Sequence, residues 1–517
     1  MRFFNTAGPI VPSDHYFVPG RSHESEIRSL IEQKKYFVLH APRQTGKTSG
    51  ILSLTDKINQ EGQYTALYVN VEPAQAMRNH VKDAIRMIVD QIRLGLLAYF
   101  PNDPVLSYFD SARKYEDSTG NELGAFLQFW ASQRPKPILL FIDEIDSLVG
   151  DSLIAVLRQL RAGYSQRPRL FPSSVCLIGV RDIRDYPIWS EATQAVIQGG
   201  SAFNISAKSL FLDTFHFEQV ADLYAQHTRE TGQVFEEDAV RYAFEQTGGQ
   251  PWLINAMAYQ ACFDDIKDRT QPITKAVFER AKEVLIARRD THLDVLIDRL
   301  REPRIHRVIS AILLGDPVFD LPQDDLSYSI DLGLIKRDEN KNLVIANPIY
   351  QEIIPRELTH AIQASMVQQT AWYLNSDGTL NMQKLLEAFV QFYRENSEML
   401  VPNMGYKEAG PHLLLMAFLQ RVINGGGKIH REYALGRKRV DLLVEFKHQR
   451  FVIETKIDYG PKTLVDGLEQ TADYMDKNNS TQGHLLLFDT KSQKTWDEKI
   501  YQKAHSVGLR SIQVWGL

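Results

Sequence analysis

The 517-residue sequence has little cysteine: Cys176 and Cys262 stand far apart, without the spacing of metal ligands. No disulfide framework is expected, and a reducing compartment fits. The sequence also lacks any unbroken apolar run of about 18 residues, so no segment is expected to span a membrane. In place of an apolar stretch, the first twenty residues carry Pro9, Pro12, Asp14 and Pro19, which argues against a secretory signal peptide. A cytoplasmic location is the expectation. Positive charge is not in excess either, since 59 Lys and Arg face 64 Asp and Glu for a net charge of −5. A basic coat over the whole molecule is thereby excluded, and any nucleic-acid contact must be local. Repeats and low-complexity tracts are likewise missing.

What is present is ordinary soluble composition, 44% hydrophobic and 24% charged, in a chain too long for one core. Between residues 34 and 182, short apolar runs at 36–40, 64–70, 137–142 and 175–180 alternate with helical stretches such as 76–99. That alternation predicts an α/β fold with a parallel sheet. From about 216 to 300 helical patterns take over, as in a lid. Residues 304–357 read as a winged helix: helices at 306–314 and 324–332, a polar ribbon at 333–346 turning at 338–342, and a third helix. A helical connector leads to a second, smaller α/β segment with a helix at 407–423, a glycine break at 425–427 and strands near 428–434, 438–446 and 450–456. The expected division is an ATPase-type core (1–212), helical lid (213–300), winged helix (301–358), connector (359–398) and C-terminal domain (399–517).

The octet Ala41, Pro42, Arg43, Gln44, Thr45, Gly46, Lys47, Thr48 follows the first strand and precedes a helix, the setting that a phosphate-binding loop requires. Backbone N–H groups at the helix start would cradle phosphate oxygens. Lys47 would supply positive charge to the β and γ phosphates, Thr48 a hydroxyl to Mg²⁺, and Gly46 close backbone approach. Ala41 stands where the motif usually has its first glycine. A chance triplet in a surface loop is the competing reading, which the preceding strand weakens. Some 95 residues after Thr48, the run 139–142 ends in Asp143 and Glu144, at the sheet edge where open α/β folds bind ligands. Asp143 would hold Mg²⁺ and Glu144 would orient or deprotonate water. Two solvated acids at a strand end are the alternative.

These residues resemble the AAA-like/STAND-type P-loop ATPases. Residues 17–26, with Gly20, Arg21 and Glu24, are similar to the box that flanks the adenine in that family. Gly248, Gly249, Gln250 and Pro251 resemble its lid motif, whose proline packs near the base, and the winged helix that follows is also similar. The likeness covers residues 5–357 and implies ATP and Mg²⁺ as cofactors, ATP hydrolysis and a homo-oligomer whose sites are completed across an interface. Arg181, at the end of the next strand, stands where such ATPases sense nucleotide, although a strand-end salt bridge reads the same. Arg158 and Arg161 are either arginine fingers or solvated helix charges.

The tail carries Asp441 and, after twelve intervening residues, Glu454 with Lys456. Two antiparallel strands joined near residue 448 would set the acids side by side, with Glu454 and Lys456 on one face and Thr455 opposite. Paired carboxylates can hold Mg²⁺, and a lysine can orient water and stabilise phosphate charge. An edge hairpin with an ordinary Glu/Lys pair is the bland alternative. The arrangement resembles the PD-(D/E)xK nuclease superfamily, with Val440 in place of the proline. Glu408 fits the acid of the preceding helix, while Gln470 and Tyr474 are similar to the QxxxY motif of RecB-like members. Lys428, His430, Arg431, Arg437, Lys438 and Arg439 precede Asp441 as a candidate phosphate track; His430 has no zinc-ligand spacing. Residues 391–517 hold 18 Lys and Arg against 15 Asp and Glu, a modest local excess.

The expectation is an α/β P-loop ATPase fused to a restriction-endonuclease-like domain. It would be an ATP- and Mg²⁺-dependent nuclease acting on DNA, with RNA not distinguished, in defence against foreign or viral DNA or in repair. The alternatives are a nucleotide-driven oligomeric signalling switch and an ATPase with an inactive DNA-binding tail.

Overall fold

The structure is a computed structural model that describes residues 1–19, 23–110, 120–183, 186–191, 193–288, 298–314, 321–339, 341–354, 372–400, 410–424, 427–434, 439–489, 494–508 and 510–517. These fall into two compact units, one of residues 1–285 with 331–333, the other of 286–330 with 334–517.

In the first unit, strands β1 (Tyr36–His40), β2 (Thr65–Asn70), β3 (Ile138–Asp143), β4 (Ser174–Gly179) and β7 (Ser206–Phe211) form a five-stranded sheet in the order β2-β3-β4-β1-β7. Every pairing in it is parallel. A hairpin of β5 (Pro187–Ser190) and β6 (Ala195–Gln198) stands apart. Helices cover both faces, which explains why β3 and β4 are apolar and buried along their whole length. On one face α1 (Glu24–Glu32) and α2 (Lys47–Glu61) place Ile27, Ile31, Ile51 and Leu54 against Phe37, Leu39, Phe141 and Ile178. On the other, α3 (Val81–Tyr99), α4 (Glu122–Gln133) and α5 (Gly150–Gly163) place Ile85, Ile88, Trp130 and Leu157 against Tyr36, Val38, Leu140 and Leu177. The α3 stripe at 84, 85, 88, 89, 92 and 96 has the period of a helix lying on a core. Each fully buried side chain of this kind contributes about 1.5–3 kcal/mol of transfer free energy.

After the sheet come the helices α6 (Phe217–Thr231), α7 (Glu237–Thr247), α8 (Pro251–Tyr259) and α9 (Lys275–Arg288), where a lid was expected. Phe4 and Tyr16 of the N-terminal segment pack against Tyr224 and His227 of α6, so the chain start is part of this core.

In the second unit, α10 (Pro303–Leu314), α11 (Gln323–Asp331), β8 (Ile335–Arg337) and β9 (Leu343–Ile345) lie where the winged-helix pattern was read, and residues 348–354 are helical. Next come α12 (Met382–Leu400), α13 (Gly410–Asn424), β10 (Lys428–Ala434), β11 (Arg439–Phe446), β12 (Gln449–Ile457), α14 (Pro461–Lys477), β13 (Gln482–Phe488), β14 (Tyr501–Val507) and β15 (Arg510–Gly516). The ribbon does not stand alone: Val344 pairs with Ala434, giving an eight-stranded sheet ordered β14-β15-β13-β12-β11-β10-β9-β8. Among the described residues no helix is long and apolar enough to cross a membrane.

Two helix glycines separate propensity from packing. A Cβ on Gly50 would meet nothing within 4 Å, whereas one on Gly163 would lie 2.3 Å from the buried Phe171 ring. Gly50→Ala is expected to stabilise by about 0.5–1 kcal/mol through helix propensity, and Gly163→Ala to destabilise by about 1–3 kcal/mol through overpacking. Urea denaturation of both variants reads the signs; equal shifts in one direction refute this account of Gly163.

Candidate functional site

Parallel strands of one sheet end at the same edge, and there the first unit gathers its polar groups. The loop after β1 bends through Gln44 (φ 58) and Gly46 (φ 88), both left-handed, so that α2 starts at Lys47 with its unpaired N–H groups facing the loop. Lys47 is buried, and its Nζ donates to the loop's own carbonyls, Ala41 at 2.8 Å and Pro42 at 2.9 Å. Burial pushes this ammonium below its ordinary pKa, while the carboxylates of Asp143, Glu144 and Asp146 pull the other way. Thr45 Oγ1 also donates to the Pro42 carbonyl at 2.8 Å.

At the end of β3, Asp143 is 1% exposed and saturated with donors. Its Oδ2 accepts from Thr48 Oγ1 at 2.7 Å and from Tyr68 OH at 2.9 Å, and Oδ1 accepts from Glu144 N–H at 2.9 Å. The Thr48 hydroxyl and the Asp143 carboxylate are adjacent hard-oxygen donors, the chemistry that Mg²⁺ selects. Tyr68 was not foreseen, because a strand tyrosine on a half-buried face looks like packing. Glu144 sits in the left-handed region (φ 58), a strained turn for a residue with a side chain. Burial first, then Asp146 and Asp143, raise its carboxyl above the ordinary value.

Beside this polar edge lies an apolar pocket lined by Ile10, Phe17, Val18, Ile27, Leu212 and Pro251. Pro251 opens α8, and the Gln250 side chain caps that helix by accepting from Leu253 N–H at 2.6 Å. The adjoining glycine is obligatory: Gly249 has φ +73, and a Cβ there would lie 2.1 Å from the Phe215 carbonyl oxygen. Arg43, Gln44, Lys47, Thr48 and Glu144 line a second, polar cleft together with residues 5–10. Ile10 N–H donates to Ser49 Oγ at 3.0 Å and Trp252 Nε1 to the Thr6 carbonyl at 2.8 Å. No motif had pointed to residues 5–10; the local signal was Gly8-Pro9, with Gly8 at φ +67. Arg21 lies outside the described residues.

Arg181, just beyond β4, is buried with Nε 3.4 Å from Asp331 Oδ2, and its guanidinium lies 5.5 Å from the Tyr186 ring centre. Asp331 also stands 3.8 Å from His40 Nδ1. Of the two sequence readings for Arg181, this is the geometry of the strand-end ion pair. Arg158 and Arg161 occupy the exposed side of α5.

In the second unit β11 and β12 are antiparallel, with Asp441 opposite Glu454 and Leu443 opposite Val452. The hairpin turns through Lys447, at φ 54. The Asp441 backbone is described but its side chain is not, and the same holds for Lys428, His430, Arg431 and Arg439. Glu408, Arg437 and Lys438 lie wholly outside the described residues. Glu454 is 0% exposed, and neither carboxylate oxygen accepts a hydrogen bond of regular geometry. Lys456 Nζ lies 2.5 Å from Oε1 as an ion pair. Thr455 points the other way, where its hydroxyl meets His412 Nδ1 of α13 at 3.2 Å.

The face that bears Glu454 also carries Val452 and Leu485, and α14 covers it with Ala472, Tyr474 and Met475. Gly467 and Gly483 allow that close approach, since a Cβ on either would come within 3 Å of Leu485 or Met475 atoms. Tyr474 is buried in this packing, and Gln470 Oε1, one turn earlier, is buried with no partner. Buried oxygens of a carboxylate and of an amide are hard donors of the kind that a divalent cation takes. Among the described residues no group of three or more His, Cys, Asp or Glu forms a metal cluster.

No family model and no curated protein matches the sequence. Among solved structures, the chain is similar to the Walker-type ATPase of Pyrococcus abyssi, at 16% identity over 68% of this chain and 99% of that one, with a TM-score of 0.47. It is also similar to Cdc6p of Pyrobaculum aerophilum, at 14% identity over 68% and 97% of the two chains, with a TM-score of 0.35. A third similarity is to the Orc1 protein of Aeropyrum pernix in complex with DNA, at 13% identity over 83% and 90%, with a TM-score of 0.33.

The raised Glu144 carboxyl has a definite pH signature. Between its ordinary value of 4.5 and its higher folded value, the folded state holds more protons than the unfolded chain, so stability falls as pH rises through that window. Glu144→Gln should therefore be more stable than the parent at neutral pH, and the gain should shrink toward zero as pH drops through 4.5. Melting temperatures across pH measure this; a gain that persists at low pH would mean a cause other than ionisation.

Proposed function

We propose that the chain is an ATP-hydrolysing P-loop ATPase joined to a Mg²⁺-dependent nuclease that acts on DNA. The observation that carries the first half is the convergence of Lys47, Thr48 and Asp143 at one sheet edge. Triphosphate oxygens are better partners for the Lys47 ammonium than the Ala41 and Pro42 carbonyls, because their charge offsets the burial that disfavours its protonated form. The loop from Ala41 to Gly46, with Arg43, Gln44 and Thr45, cradles the phosphates. The apolar pocket beside Pro251, with Arg21, takes the base.

Thr48 and Asp143 would hold Mg²⁺, which neutralises charge developing on the transferred phosphoryl group. Glu144 serves as the base or water-orienting group, its raised carboxyl making it a better proton acceptor than a solvated glutamate. Arg181 senses the γ-phosphate by exchanging Asp331 for it.

The second half rests on Glu454, a carboxylate removed from water beside one lysine and opposite Asp441 in register. Without a further positive partner such a group is costly. Asp441 and Glu454 would hold Mg²⁺, which supplies a polarised phosphate and activated water. Lys456 orients that water, Glu408 adds an acid, and Gln470 and Tyr474 of α14 support the site. The C-terminal strands with α13 and α14 constitute a restriction-endonuclease-like domain on this reading, and residues 1–212, 213–300, 301–358, 359–398 and 399–517 are core, lid, winged helix, connector and nuclease. The protein works as a homo-oligomer in the cytoplasm, in defence against foreign DNA or in repair, with nucleotide state gating the cut.

The test is purified protein incubated with linear, circular and single-stranded DNA and with RNA, with and without ATP and Mg²⁺. Lys47→Ala should abolish ATP turnover. Asp441→Asn and Lys456→Ala should each lower cutting by roughly 100-fold or more while leaving ATP turnover intact, with melting curves confirming that both fold. Undiminished cutting by Asp441→Asn would show that the nuclease centre is elsewhere.

A further inference from the structure

The second unit keeps its large apolar side chains inside, with three exceptions among the described residues: Tyr459 at 77% exposure, Val465 at 54% and Tyr501 at 36%. Their positions share one feature, closeness to the end of the sheet where Lys456 stands. Tyr459 follows Lys456 by three residues, within about 10 Å along extended chain. Val465 lies in the opening turns of α14. Tyr501 belongs to the edge strand, yet the register runs straight across to it: Lys456 pairs with Leu487, Leu487 with Gly516 and Gly516 with Tyr501. Three strand spacings make about 14 Å, and residues of one such row share a face.

Gly516 has a reason in this row. A Cβ there would lie 2.3 Å from Tyr501 Cε1, so the tyrosine ring leans inward from the edge and lies over the glycine. Tyr459 is held just as firmly. The preceding Asp458 N–H donates to the Phe488 carbonyl at 2.8 Å, Gly460 N–H to Asp458 Oδ1 at 2.9 Å, and Tyr459 N–H to Thr463 Oγ1 at 3.2 Å. The turn is stiff, and it displays an aromatic ring to water. Charge accompanies the rings, for Lys503 Nζ lies 5.4 Å from the Tyr501 ring centre and Lys462 is exposed at the start of α14. Burial and the Asp458 carboxylate push the Tyr501 phenol upward, so the ring stays neutral at physiological pH.

We propose that Tyr459 and Tyr501 are a stacking platform for the bases of an unpaired nucleic-acid strand, whose phosphate they deliver to Glu454 and Lys456. Bases inside a duplex hide their faces from such rings, whereas those of a single strand offer them. The lysines match the strand's phosphate charge. This rests on the nuclease reading above and adds the substrate class to it: single strands, or the frayed ends of duplexes.

The experiment measures fluorescence anisotropy with the full chain in EDTA, so that binding is seen without cutting. The probes are a labelled oligo(dT) strand and a duplex of equal length. Stacking is worth about 1–3 kcal/mol per base, so Tyr459→Ala and Tyr501→Ala should each weaken single-strand binding by about fivefold or more. Duplex binding should stay unchanged, and Tyr459→Trp should keep the parent affinity. Parent-like affinity in Tyr459→Ala, equal losses on single strand and duplex, or no single-strand preference in the parent protein would each overturn the platform.

Adding Mg²⁺ separates the two ideas. Tyrosine-dependent single-strand binding without any cutting keeps the platform and removes the nuclease. Cutting that the alanine variants perform at the parent rate on every substrate keeps the nuclease and removes the platform.

Discussion

A carboxylate taken out of water must keep donors or a cation beside it, and this protein meets that requirement differently in its two units. Asp143 is surrounded by three donors, two of which are hydroxyls that can rotate toward a new partner. Both of its oxygens therefore accept hydrogen bonds, and the hydroxyl donors can turn to other acceptors. Among the described residues, Glu454 has the Lys456 ammonium as its ion-pair partner. Stability alone does not account for either arrangement, because a buried ion pair is often no better than well-packed apolar residues of the same volume.

The rest of the first unit follows from placing Asp143 there. An all-parallel sheet needs a covering helix at each crossover, and it brings every strand's carboxyl end to one edge. That single geometric fact sets the loop after β1, the acid pair after β3 and Arg181 after β4 side by side, although some 140 residues separate the first from the last. The same edge explains why Lys47 can be buried: its ammonium is enclosed by carbonyls of its own loop and by the field of three nearby acids. In the second unit the mixed sheet lets α13 and α14 take opposite faces. The alternation of β12 then sends Thr455 to one helix and Glu454 to the other.

Much of this could be read from residue patterns, for definite physical reasons. Strands β1 to β4 are short, mostly apolar runs, ending in His40, Asn70, Asp143 and Gly179, and burial of the sheet on both faces favours that composition. The hairpin of β11 and β12 was legible because a period of two assigns faces without any knowledge of neighbours, and the Asp441–Glu454 pairing follows from the turn. What escaped notice depends on distant partners. Strand β7, Ser206–Phe211, is largely polar and partly exposed because it is the sheet's edge, so it lacks the apolar run that marks the others. The ribbon of β8 and β9 looks self-contained, and nothing local says that Val344 meets Ala434 some 90 residues later. Tyr68 beside Asp143 and the segment 5–10 in the polar cleft came unannounced, since a tyrosine in a strand and a Gly-Pro turn have many uses. Asp331, 150 residues after Arg181 in the chain, is a partner that the strand-end pattern alone does not foretell.

The register of the second sheet carries the argument one step further. Rows across a sheet hold residues far apart in sequence at fixed intervals, and one row here runs from the half-buried Lys456 through Leu487 and Gly516 to the exposed Tyr501. Leucine or valine at 516 would suit β15 better by propensity, and glycine weakens a strand by about 0.5–1 kcal/mol. The ring of Tyr501 occupies the space that such a side chain would need, so the glycine and the tyrosine are one feature rather than two. The strand accepts this loss and lays an aromatic ring beside the Lys503 side chain, on the face that bears Glu454, an arrangement that strand propensity by itself does not select.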